Sequence, residues 1–89
     1  MLDKEVEGKT EIELTYIFAS PAWGKGYATE IAQSLKQYAF KKLGIERLIA
    51  LIKPENAASE RVAVKIGMIM EKKVIRPGKV VRKMYVIEK

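Results

Sequence analysis

The stretch "SPAWGKGYATE", residues 20–30, stands between two runs of different hydrophobic period. Upstream, "EIELTYIFAS" (11–20) alternates at first, with Ile12, Leu14 and Tyr16 set against Glu11, Glu13 and Thr15. From Tyr16 to Ala19 it is continuously apolar. That pattern predicts a strand with one wet face at its start and burial on both faces at its end, closed by Ser20-Pro21. Downstream, Ala28, Ile31, Ala32, Leu35, Ala39 and Leu43 recur at helical spacing, with Glu30, Gln33, Lys36, Gln37, Lys41 and Lys42 between them. This predicts an amphipathic helix with lysines in its last turns and Gly44 at the C′ position. A strand therefore feeds a helix through two glycines, Gly24 and Gly26. The first turn of a helix offers unpaired N–H groups and the positive end of the macrodipole. Glycine lets that backbone approach a phosphate with no Cβ in the way, and Lys25 adds a charge, so the stretch reads as an anion cradle. Taken alone, Gly-x-Gly fits a simple chain turn equally well. The dinucleotide pattern fails, because Thr29 occupies the position of its third glycine, and no Gly-Lys-Ser/Thr completes a P-loop.

"RLIALI" (47–52) is a short apolar run before Lys53-Pro54 and predicts a buried strand. Strand, helix and strand in that order imply a parallel pair with a right-handed crossover. Asn56 is a good N-cap for a second helix over 57–66, with Ala58, Val62 and Ile66 inward and Gly67 ending it. "MIMEKKVI" and "VVRKMYVI" flank Arg76-Pro77-Gly78-Lys79 and predict a hairpin whose loop exceeds the tight two-residue kind. The expected architecture is an α/β (α+β) mixed sheet in the order β-α-β-α-β-β, forming a single domain over residues 1–89. Residues 1–10 fit either a frayed arm or the remnant of a preceding strand.

Composition narrows the chemistry. The 89 residues include neither cysteine nor histidine. Disulfides, thiolate chemistry and the commonest metal ligands are thereby excluded, and no metal site is expected. Proton transfer falls to Glu, Asp, Tyr, Ser, Lys or water. The net charge of +6 is uneven: residues 1–13 hold five acids against two lysines, and residues 65–83 hold seven bases against Glu71. A basic end suits an anionic ligand. Nucleic acid is disfavoured, since no stacking platform or nucleic-acid motif accompanies the charge. No run is apolar enough to span a bilayer and the acidic start is unlike a signal peptide, so a cytoplasmic location without membrane attachment is the expectation.

Several motifs in register carry a resemblance. Glu13-Leu14-Thr15-Tyr16, Trp23 through Glu30, Pro54 through Ser59 and Lys65-Ile66-Gly67 together resemble the GNAT superfamily of acyl-CoA-dependent N-acetyltransferases. The likeness is greatest to the branch of the ribosomal-protein alanine acetyltransferases. It implies acetyl-CoA as cofactor, its pyrophosphate held by backbone amides of Gly24, Lys25, Gly26, Tyr27, Ala28 and Thr29, with Trp23 also among the cofactor-binding residues. It further implies that the main chain of Ile17, Phe18 and Ala19 pairs with the pantetheine arm, and that Asn56 touches that arm. Read without the resemblance, Ile17–Ala19 fit plain core and Asn56 a helix cap.

The resemblance also implies direct acetyl transfer to an amine, which needs a base, an oxyanion donor and an acid. Glu13 is the carboxylate placed for the base, directly or through water, although a solvent-facing strand residue fits it too. A backbone N–H near Phe18 or Ala19 suits the oxyanion. Many relatives use a tyrosine as acid; none occurs between Tyr38 and Tyr85, and Ser59 is the nearest polar candidate. Complete members carry further strands and two helices upstream that line the acceptor site, so this chain corresponds to the cofactor-binding half. Three readings stay open: an acetyltransferase acting on a primary amine such as a peptide N-terminus, an acetyl-CoA-binding module without turnover, and a basic interaction domain. Loss of upstream neighbours would expose the first strand, predicting a homodimer that covers residues 12–19.

Overall fold

The computed structural model describes residues 2–14 and 25–89, the side chains of residues 2 and 25–28 aside. Its elements are β1 (Leu2–Val6), β2 (Lys9–Glu13), α1 (Lys25–Lys41), β3 (Arg47–Ile52), α2 (Ala57–Lys65), β4 (Ile69–Arg76) and β5 (Val80–Glu88). The strands form one mixed sheet in the order β1-β2-β3-β5-β4. β2 and β3 run parallel, as the crossover requires, and their described register pair is Glu13↔Ile49. The other neighbours are antiparallel.

From β2 onward the element order is the one the hydrophobic periods predict. The open question over residues 1–10 resolves as a preceding strand. β1 and β2 form a tight hairpin with Val6 opposite Lys9, turned by Glu7 and Gly8, both at positive φ (50° and 82°). Two positive-φ residues are the mirror-image turn that matches strand twist. β1 pairs through Ile12 and Glu13. The dimer edge predicted over residues 12–19 is thus already occupied within the chain at Ile12 and Glu13; the rest of that range, and residues 15–20 of the predicted strand, lie outside the described residues.

α1 begins three residues earlier than the apolar stripe suggested, so Lys25 and Gly26 are in its first turn. Its last turn folds over at Gly44 (φ 68°), where the Ile45 N–H returns to the Ala39 carbonyl at 3.0 Å. Leu43, expected on the inner stripe, falls beyond the helix and is exposed. In α2 the buried stripe is Val62, Ala63 and Ile66, while Ala58, expected inward, is exposed. Both helices cover one face of the sheet. Their core joins Leu14, Ala50, Ile52 and Tyr85 to Ala32 of α1 and Ala63 of α2. Burying Leu14 or Ile52 there contributes about 1.5–3 kcal/mol each.

The opposite face has no helix among the described residues and is concave. β1 and β4 are its two margins, and four strand spacings would hold them about 19 Å apart in a flat sheet. Yet Lys72 of β4 pairs with Glu7, and Arg76 Nη1 of β4 donates to the Glu5 carbonyl of β1 at 2.7 Å. Side chains bridge the margins only because the sheet curls into a trough. Val6, Ile49, Val74 and Met84 meet along its floor as a second apolar cluster, each no more than 3% exposed. At the far end the β4–β5 loop is Pro77-Gly78-Lys79, one residue longer than a tight turn, with Gly78 and Lys79 at positive φ.

Candidate functional site

The cofactor side is built on α1. Its first turn holds no acidic residue, and Gly26 keeps the backbone there free of a side chain. Within that turn, therefore, no side chain of the helix itself repels an anion from the N–H groups and the dipole. A pyrophosphate fits this donor set. Of the predicted cofactor residues, Lys25, Gly26, Tyr27 and Ala28 are described by backbone alone, and Thr29 is half-buried in α1. Ile17, Phe18, Ala19, Trp23 and Gly24 lie outside the described residues. Asn56 performs the cap that its type suggested: Oδ1 accepts from the Ser59 N–H at 3.1 Å. That use takes one lone pair of the oxygen and leaves the amide nitrogen as the donor able to meet a ligand.

Glu13 ends β2 at the last described pair with β3. It is 4% exposed, with Oε1 2.7 Å from Lys4 Nζ, so it is neither the wet strand residue nor an isolated base. Glu13 lines a pocket of about 240 Å³ at one end of the trough, with Lys4, Leu51, Arg76, Pro77, Val80 and Arg82. Ser59 sits in the first turn of α2, on the helix-covered side. The two predicted catalytic residues therefore occupy opposite faces. A thioester touched by both would have to reach from one face of the sheet to the other.

The other end of the trough holds a cluster that the sequence did not announce. Arg47 of β3 grips Glu11 with two bonds, Nε to Oε1 at 3.0 Å and Nη2 to Oε2 at 3.2 Å. Its Nη2 also reaches Glu71, at 3.3 Å, and Nη1 lies 3.8 Å from Glu88. The bond to Glu11 is the largest influence holding the guanidinium above its ordinary value. A cleft of about 620 Å³ opens beside this network. Sequence reasoning missed Lys4, Arg47, Arg76 and Arg82 as site residues: Lys4, Arg47 and Arg76 meet partners on other strands, and Arg82 reaches the site only through the β4–β5 register; only the alternation of β2, which puts Glu11 and Glu13 on one side, hinted at such pairing.

A parallel strand pair, a glycine-opened helix on one face and a carboxylate on the other define a mixed α/β class, and similar proteins specify the family within it. The acetyltransferase (GNAT) domain model matches residues 2–69. The chain belongs to this family, whose general reaction is acetyl transfer from acetyl-CoA. The uncharacterized N-acetyltransferase YnaD of Bacillus subtilis is 42% identical over 74 residues, covering 80% of this chain and 44% of YnaD. The uncharacterized protein YkkB of the same organism is 40% identical over 74 residues, covering 83% and 43%. Among solved structures, a GNAT-family acetyltransferase from Bacillus anthracis is 37% identical with a TM-score of 0.64, covering 74% of this chain and 43% of that one. The aminoglycoside acetyltransferase AAC(6')-Ib, solved with coenzyme A, shares the fold with a TM-score of 0.68 at 20% identity, covering 79% and 40%. The chain thus spans less than half the length of these relatives.

Proposed function

We propose that this chain binds acetyl-CoA at the start of α1 and supplies the cofactor half of an N-acetyltransferase acting on a primary amine. The observation that carries the reading is the acid-free first turn of α1 with Gly26 in it, within a chain whose family is established. Within that family we place it nearest the ribosomal-protein alanine acetyltransferases, on the motifs Trp23 to Glu30 and Pro54 to Ser59; peptide N-termini are then among the acceptors. Backbone N–H groups from Gly24 to Thr29 hold the pyrophosphate, and Ile17–Ala19 with the Asn56 amide nitrogen hold the arm. When bound, acetyl-CoA supplies the activated acetyl group. Glu13 takes the proton of the attacking ammonium through a water, and a backbone N–H near Phe18 or Ala19 donates to the carbonyl oxygen. Ser59 gives a proton to the departing sulfur.

Calorimetry with CoA and acetyl-CoA tests the binding. Gly26→Asp places a negative charge where phosphate is to lie, so affinity is expected to fall by about tenfold or more. Equal affinity of variant and wild type sinks the site. A second reading, a binding module without turnover, draws on the chain spanning 43–44% of its curated relatives. CoA binding without transfer to any member of an amine panel favours it.

A further inference from the structure

We infer that the amine accepted at this site carries an anionic group of its own, a carboxylate or phosphate, held by Arg76 and Arg82. The inference rests on the acetyl-transfer reading, which puts the acceptor ammonium at Glu13.

Val74 lies on the trough floor, and Arg82 is its direct partner across the β4–β5 ladder. Arg76 stands two residues from Val74 on the same strand face. Both guanidinium stems therefore rise on the concave side, and both line the pocket that Glu13 lines. On this face Lys4, Arg47 and Lys72 each have a carboxylate partner. Arg76 and Arg82 have none among the described residues; their recorded bonds go to backbone carbonyls, Glu5 at 2.7 Å and Val81 at 2.9 Å. Residues 15–24 contain no Asp or Glu, so that stretch has no acid to offer them. Each guanidinium keeps most of its five N–H donors.

Lys4 and Glu13 offset one another in the pocket, and two cations remain in about 240 Å³. That volume suits one small anionic group, and an arginine pair suits the planar carboxylate or the phosphate fork. Leu51 and Val80 close the wall with apolar surface. One small molecule can then span the pocket, with its ammonium toward Glu13 and its anion toward the arginines.

The test uses three probes: glycylglycine, its neutral counterpart glycylglycinamide, and O-phosphoethanolamine. Binding to the 89-residue chain is followed by NMR titration of the arginine Nε–Hε signals, and CoA affinity is measured on the same samples. Glycylglycine and phosphoethanolamine are expected to bind about tenfold or more tightly than glycylglycinamide. R76Q/R82Q is expected to erase that difference while CoA affinity holds. Equal affinities in the wild type overturn the proposal whatever the variant does, and so does a preference that survives in R76Q/R82Q. Loss of CoA binding in the wild type, with the anion preference intact, fails the acetyl-transfer reading instead. Which anionic probe binds more tightly identifies carboxylate or phosphate as the preferred group.

Discussion

Glu11 and Glu13 hold the positions that an alternating strand gives to water, yet they are only 8% and 4% exposed. The alternation correctly separated them from Leu14, but could not reveal that cations would arrive from elsewhere to cover them. Lys4 comes from β1, and Arg47 lies 36 residues beyond Glu11 in the chain. Such pairings leave no local spacing to read. Removing Arg47 would strand a largely buried carboxylate, and its own partial exposure moderates the loss. Arg47→Ala is expected to lower unfolding free energy by about 1–3 kcal/mol in urea titrations. Arg47→Lys keeps the charge but not the two-pronged fork, and should recover only part of that.

At the element scale, helix ends were the most legible features. Asn56 before Ala57, and Gly44 and Gly67 after their helices, all act as their chemistry suggests, with both glycines at positive φ. The β1–β2 hairpin was not legible, because Glu7 occupies a turn position that usually announces itself with Asn, Asp or Gly. Of the candidate site, the cap made by Asn56 was legible, where backbone geometry follows from residue type, and Gly26 falls in the first turn of α1. It was not legible at Arg76 and Arg82, whose shared face depends on the β4–β5 register. Asn56 separates two roles in one experiment. Asn56→Ala should cost about 1 kcal/mol of stability through the lost cap. Asn56→Asp retains a capping oxygen and should unfold near the wild-type midpoint. If the amide nitrogen meets the pantetheine arm, both variants weaken CoA binding in calorimetry; unchanged affinity in both confines Asn56 to the cap.

Over the whole molecule, two lysine pairs tie separate elements together. Lys83 of β5 meets Glu60 of α2 at 2.7 Å, and Lys72 of β4 meets Glu7 of the first turn. Each lysine is raised above its ordinary value of 10.5, chiefly by the hydrogen bond to its glutamate. A raised folded-state value means that the stabilisation is full below the unfolded lysine value and fades as pH climbs through the folded one. Urea midpoints are therefore expected to hold up to about pH 10 and to decline above it, with Lys83→Met flattening part of that decline. Strand order beyond the parallel pair, and the curl itself, were hidden from sequence because they depend on contacts between the two ends of the chain. The curl has a consequence for company. A bare strand margin is a template on which foreign chains polymerise, and most sheets have two. Here side chains draw the margins toward each other, and Arg76 already takes an outer carbonyl of β1. Lysines and a kink at Met70/Lys72 roughen the other margin. These features work against edge-to-edge stacking into fibres.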